Sequence, residues 1–109
     1  MSNDLELLIM NLIVDAGNAR SYAMEAIRYA KKDCIVKAEK ALQEADAEIS
    51  KAHHAQTGLI QNEAKGDHTE INLFMVHAQD HIMTAILAKD MAREIVEVYK
   101  ELGKVRSRT

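Results

Sequence analysis

The chain contains no proline, and its apolar residues recur at steps of three and four along most of its length. This spacing places apolar side chains on one face of an α-helix, and the absence of proline lets such helices run for many turns. Aromatic residues make up only 4% of the chain, which argues against a β-sandwich or a β-barrel. The sequence therefore predicts an all-α fold in one domain, residues 1–109.

Two short breaks divide this pattern into three helices. At the first break, Asp33 follows two lysines and is predicted to cap the next helix. At the second, Gly66 is expected to adopt a left-handed conformation and Thr69 to cap the third helix. Short connections make successive helices antiparallel, so we expect an up-down-up three-helix bundle. The predicted helices span about residues 4–31, 34–64 and 70–102.

The third helix carries more apolar surface than one face of a bundle needs. Residues 73–76 are all apolar, and Ile82, Met83 and Leu87 continue the apolar surface around the helix. The wide face predicts a second packing partner, most simply the same helix of other copies. A well-buried helix with irregular periodicity is the alternative. Because a small alanine-rich domain buries little area by itself, an oligomer is expected.

Charge and cysteine content exclude several functions. The formal net charge is −3, from 14 basic and 17 acidic residues, and no predicted face is basic, so nucleic acid is not an expected partner. The single cysteine, Cys34, cannot form an internal disulfide, which is typical of a reducing cytosol. No apolar run approaches ~20 residues, so no insertion into the membrane is expected. These features together predict a cytoplasmic protein.

The segment 75–84 combines ionisable groups with a helical apolar pattern. At about 100° per residue, His77 and His81 lie about 40° apart on the helix, and Asp80 lies about 60° from His77. Three functions fit these residues: metal binding by the two histidines, acid–base catalysis with Asp80 orienting an imidazole, and phosphoryl transfer through an imidazole nucleophile. Histidines that merely pack in a core are the non-functional alternative.

A second polar pair lies in the second helix. His53 and Gln56 are three residues apart, which would place both on the predicted inner stripe. A buried hydrogen-bonded pair is the favoured interpretation, and a direct part in a site is the other.

Four segments, in order along the chain, resemble one protein family. They are residues 11–21, 44–46, 52–57 and 76–84. Together they resemble the enzyme IIA component of the lactose/cellobiose (chitobiose) class of the bacterial phosphoenolpyruvate-dependent sugar phosphotransferase system. The resemblance extends over about residues 5–102 and includes the run His77-Ala78-Gln79-Asp80.

The resemblance implies a homotrimer that forms a nine-helix bundle. It implies that His77 accepts a phosphoryl group from the carrier protein HPr at its tele nitrogen. His77 would pass that group to a cysteine of the cognate IIB component during uptake of lactose, cellobiose or a related β-disaccharide. It further implies that Asp80, one from each subunit, binds a divalent metal at the trimer axis, with Mg²⁺ the expected ion. His81, Gln56 and His53 are candidate supporting residues.

One alternative function belongs to a different class. The chain could be a non-catalytic metal-binding or structural helical oligomer that uses His77 and His81 as ligands. The sequence does not choose the sugar, because a IIA component of this kind does not contact it.

Overall fold

Three long α-helices make up the structure, a computed structural model that describes residues 3–108. They are α1 (Asn3–Lys31), α2 (Ile35–Ala64) and α3 (Leu73–Ser107), and these residues include no strand. The all-α prediction is confirmed. The longer connection has only eight residues, 65–72, and spans at most about 28 Å, whereas a 30-residue helix is about 45 Å long. Each connection therefore reverses the chain, which gives the up-down-up arrangement.

Small side chains dominate the core, so the three helices approach one another closely. Among residues 3–108, only four large side chains are almost completely buried: Ile9, Leu12, Ile82 and Val96. The other buried apolar positions are mostly alanines, such as Ala19, Ala38, Ala52, Ala78 and Ala92. Because burial stabilises in proportion to apolar area, an alanine core stabilises one subunit only modestly.

The first connection is a Schellman turn that ends α1. The Cys34 N–H donates to the Tyr29 carbonyl at 2.9 Å, and the Asp33 N–H donates to the Ala30 carbonyl at 3.0 Å. Asp33 has a φ of 63°, the left-handed conformation that this turn requires. The prediction that Asp33 caps α2 is therefore wrong. Cys34 occupies that position, without a side-chain capping hydrogen bond.

The second connection ends α2 as predicted but starts α3 later. Gly66 has a φ of 90°, which confirms the left-handed glycine. The cap of α3 is Asn72, whose side chain accepts a hydrogen bond from the Met75 N–H at 3.0 Å. Thr69 does not cap α3, because the helix begins at Leu73, three residues beyond the predicted start, and the Thr69 N–H donates to the Glu63 carboxylate at 3.2 Å. The prediction that α3 spans 70–102 is thus wrong at both ends.

Two opposite faces of α3 are apolar. One face is buried against α1 and α2 through Met75, Ala78, Ile82, Ala85, Ala92 and Val96. The other is exposed, and we call it the outer stripe of α3: Leu73, Val76, Leu87, Met91, Val98, Leu102 and Val105. The extra apolar surface of the third helix, recognised from the sequence, is therefore open in the single chain. Within residues 3–108, no helix is both long and apolar enough to cross a membrane.

Replacing Asp33 with glycine should stabilise the protein. Glycine adopts the left-handed conformation without steric cost, whereas other residues do so at a penalty. We expect Asp33→Gly to raise the free energy of unfolding by about 0.5–1 kcal/mol in urea denaturation at a fixed protein concentration. Asp33→Ala is the control and should lower it, because alanine lacks the short polar side chain that tolerates this conformation. A loss of stability in the glycine variant would contradict the turn described here.

Candidate functional site

The face of α3 that is buried against the other helices determines which of its side chains face outward. With Met75 and Ala78 turned into the core, His77 lies on the exposed side of the helix. Asp80 is exposed as well, and His81 is half-buried. The structure therefore brings His77, Asp80 and His81 onto one accessible surface, as the helical spacing predicts.

The rings of His77 and His81 are in direct contact. Their centroids are 4.4 Å apart and the planes make an angle of 80°, an edge-to-face arrangement. This contact restricts rotation of the His77 ring. Among residues 3–108, no group forms a hydrogen bond with the ring nitrogens of His77. The imidazole is thus held by packing while its nitrogens stay open to an incoming molecule.

Asp80 lies within the outer stripe of α3. Thr84 donates its hydroxyl to the backbone carbonyls of Asp80, at 2.9 Å, and of His81, at 3.2 Å. The Asp80 carboxylate is left facing solvent between Val76 and Leu87. A carboxylate surrounded by apolar side chains becomes unfavourable once that surface is covered, unless a cation or a proton neutralises it.

A metal site cannot be completed by one copy of the described chain. No group of three or more His, Cys, Asp or Glu side chains within residues 3–108 could hold an ion. Asp80 can therefore act as a metal ligand only together with groups from elsewhere, such as the same residue of other copies.

A pair of amide side chains links α2 to α3. Gln56 donates to the Gln79 carbonyl oxygen at 2.7 Å and approaches the Met83 sulfur at 3.8 Å, while Gln79 donates to the Met75 sulfur at 3.5 Å. Gln56 is the one polar residue in the described range with less than a tenth of its whole surface exposed, which confirms its predicted inward position. This pair lies about 200° around α3 from His77. The sequence did not predict the Gln56–Gln79 bond, because spacing along one helix carries no information on cross-helix register.

The predicted inward position of His53 is wrong. His53 is exposed, although it is three residues from the buried Gln56. Ala52 takes the inward position instead, four residues and about one turn before the buried Gln56. The structure thus separates His53 from Gln56, whereas the spacing placed them together.

Ion pairs between α2 and α3 lie beyond the histidines along α3. The Asp46 carboxylate accepts from Arg93 at 2.7 Å and from Lys89 at 3.1 Å. Burial alone would raise the pKa of Asp46, but the hydrogen bonds from Arg93 and Lys89 hold it below its ordinary value. By contrast, Asp80 is the only Asp, Glu, Lys or Arg in the segment 73–88. The surface that carries His77 is therefore mainly apolar.

Comparisons with known proteins agree with this architecture. The family model for the lactose/cellobiose-specific IIA subunit of the phosphotransferase system matches residues 7–100. The lichenan-specific phosphotransferase enzyme IIA component of Bacillus subtilis is 53% identical over 106 residues, covering 97% of this chain and 96% of that protein. The cellobiose-specific EIIA component of Lactococcus lactis subsp. lactis is 43% identical and covers 87% of this chain and 82% of its own length.

Solved structures show the same fold. The cellobiose-specific enzyme IIA from Bacillus anthracis superposes with a TM-score of 0.90 at 45% identity, covering 95% of each chain. The IIA(chitobiose) of Escherichia coli, solved in complex with HPr, has a TM-score of 0.80 at 33% identity, covering 94% of this chain and 99% of that one. The chain therefore belongs to the lactose/cellobiose-specific IIA family of the sugar phosphotransferase system.

Proposed function

We propose that the protein is a phosphocarrier that accepts a phosphoryl group on the tele nitrogen of His77. The exposed imidazole with open ring nitrogens, in a chain of this family, is the observation that carries the proposal. The donor would be phosphorylated HPr, since a related IIA was solved in complex with HPr. The acceptor would be a cysteine of the cognate IIB component, on a separate chain or domain.

Each transfer exchanges one bond to phosphorus for another. The lone pair on the His77 tele nitrogen attacks phosphorus as the N–P bond of the donor phosphohistidine breaks, and the electron pair of that bond returns to the donor nitrogen. In the second transfer, a thiolate displaces the His77 nitrogen in the same way. Because neither step needs a general acid from this chain, positioning of the imidazole contributes most of the rate. In this proposal the edge-to-face contact with His81 would supply that positioning.

Phosphorylation of His77 is directly measurable. Incubation with phosphoenolpyruvate, enzyme I and HPr should add one acid-labile phosphoryl group per chain, measured as intact mass and mapped by peptide analysis. His77→Ala should abolish the gain completely. His81→Ala should slow it about tenfold or more, because the His77 ring is then free to rotate.

His54→Ala is the matched control, since His54 is an exposed histidine on α2. It should be phosphorylated at the same rate as the unmodified protein. A folded protein that gains no phosphoryl group would instead favour the metal-binding or structural oligomer, an alternative that membership of this family does not favour. Phosphorylation retained in His77→Ala would move the carrier role to another histidine.

Partner recognition at His77 should be mainly apolar. Phe74, one turn before His77 in α3, is 59% exposed and joins Glu6, Ile9 and Met10 of α1 in lining a hollow of about 130 Å³. An apolar side chain of HPr or of the IIB component would fit this hollow beside the imidazole. Such a contact is driven by burial, with few ion pairs to be screened.

Salt should therefore affect binding to HPr only weakly. We expect the dissociation constant to change by less than about threefold between 50 and 500 mM salt, measured by NMR titration. Phe74→Ala should weaken binding more than this, because it removes the apolar wall of the hollow. A tenfold or greater loss of affinity in high salt would indicate recognition by charge instead.

We further propose that three copies assemble through the outer stripe of α3. Packing three such stripes around an axis would bury Leu73, Val76, Leu87 and the rest of the outer stripe. The three subunits together would form a bundle of nine helices. Three Asp80 carboxylates would then meet. At about 4 Å and an effective dielectric of 20, each pair would repel by about 4 kcal/mol. A divalent cation, Mg²⁺ in our proposal, would relieve this repulsion through carboxylate oxygen ligands.

Replacing Asp80 with leucine tests this arrangement without any activity assay. Asp80→Leu should lose bound divalent metal in elemental analysis, yet remain a trimer in sedimentation equilibrium. Removal of the repelling carboxylates should also stabilise the assembly by about 1–4 kcal/mol in metal-free buffer. Asp67→Leu, at an exposed acid in the second connection, should leave the metal content unchanged. Dissociation of the Asp80→Leu protein into monomers would contradict the proposed packing.

The cellular role follows from these steps. The protein would act in the cytoplasm, where HPr supplies phosphoryl groups, and would support uptake of lactose, cellobiose or a related β-disaccharide. Relatives are named for lichenan, lactose, galactose and cellobiose, so the transported sugar differs within the family.

A further inference from the structure

Two carboxyl groups face each other across the interface between α1 and α2. Glu48 of α2 is largely buried, with 16% of its side chain exposed. Its Oε1 accepts from Lys51 at 3.2 Å, but its Oε2 is buried without a hydrogen-bond partner. It is the only such buried side-chain atom in the described part of the chain. A buried oxygen that lacks a donor is unfavourable, so a donor for it is expected close by.

Asp15 of α1 is the group in position to supply that donor. After burial, the charge of Glu48 and a side-chain hydrogen bond with it are what raise the pKa of Asp15, so the two carboxyl groups are close neighbours. A carboxylate cannot donate a hydrogen bond, whereas a protonated carboxyl group donates one. A single proton on Asp15 would therefore satisfy Glu48 Oε2 and remove one of the two like charges.

We propose that Asp15 and Glu48 share one proton and form a pH-dependent clasp between α1 and α2. In the closed clasp the Asp15 O–H donates to Glu48 Oε2, while Lys51 remains on Oε1. When the proton leaves to solvent, two carboxylates face each other with one lysine between them, and Oε2 loses its donor. This clasp is separate from the phosphoryl transfer proposed for His77 and does not depend on it.

The charged surroundings of Asp15 support a proton held there. Burial raises the pKa of Asp15, the negative charge of Glu48 raises it further, and the Lys51 ammonium partly opposes this. Glu48 raises the pKa of Lys51 most, and Tyr22, also on α1, adds a smaller contribution in the same direction. Among the described residues, α3 contributes no charged group to this cluster. The carboxyl group of Asp15 therefore keeps its proton at a higher pH than an ordinary aspartate.

The clasp predicts an unusual dependence of stability on pH. The pKa of Asp15 in the folded protein lies above its ordinary value of 3.8, so the folded chain binds this proton more tightly than the unfolded chain. The Asp15 contribution to stability is complete below pH 3.8 and is lost as the pH rises through the folded pKa. A carboxylate stabilised by a salt bridge behaves in the opposite way.

An NMR titration of the Asp15 side-chain carboxyl carbon, in the full chain, tests the clasp. The midpoint should lie above 3.8 in the unmodified protein. Glu48→Gln should lower the midpoint, because it removes the opposing charge, and Lys51→Ala should raise it, because it removes the ammonium. Glu44→Gln, at an exposed acid one turn before Glu48, should leave it unchanged.

Thermal unfolding provides a second readout. Asp15→Asn keeps a donor for Glu48 Oε2 at every pH. The melting temperature of this variant should therefore lack the decrease that the loss of the Asp15 proton causes in the unmodified protein as the pH rises. If that variant does not fold, the opposite shifts in Glu48→Gln and Lys51→Ala still decide the matter. An Asp15 midpoint at or below 3.8, or one that Glu48→Gln does not lower, would overturn the proposal.

Discussion

Close packing of alanines between the helices is the constraint on which the rest of the structure depends. Ala19, Ala52 and Ala78 are fully buried where the three helices meet. They let the backbones approach closely, but they bury little apolar area. Several of the larger apolar side chains of α3 therefore lie outside the subunit core, on the outer stripe. A chain with such a core has a physical reason to bind further copies of itself.

The same packing determines the form of the phosphoryl-transfer site proposed here. Since α3 buries the face with Met75, Ala78 and Ile82, its other side is free for His77 and Asp80. A carrier has to present one nucleophile to two successive partners, so an exposed position on a rigid helix suits it better than an enclosed pocket. Rigidity matters because in-line transfer depends on the direction of the imidazole. In the proposed mechanism the ring contact with His81 would hold that direction while leaving the nitrogens accessible.

Local spacing predicted much of the fold and of the site, because both depend on helical periodicity. The three helices follow from steps of three and four, and the proximity of His77 and His81 follows from their separation of four residues. The caps were harder to predict. Asp33 and Thr69 both have side chains suited to capping, but the Schellman turn needs a left-handed residue at 33, and α3 begins only after Asn72, whose side chain accepts from the Met75 N–H. The choice between such rival contacts is made in three dimensions.

Contacts between helices could not be predicted from the sequence, for a different reason. The Gln56–Gln79 bond and the approach of Asp15 to Glu48 depend on how far one helix is shifted along another. Periodicity on each helix does not fix that shift, since apolar stripes can slide by a turn and still face each other. The Gln56–Gln79 pair is unfavourable in any other register, because the buried Gln56 amide would lose its partner. This bond therefore favours one register among several that an alanine core would otherwise permit.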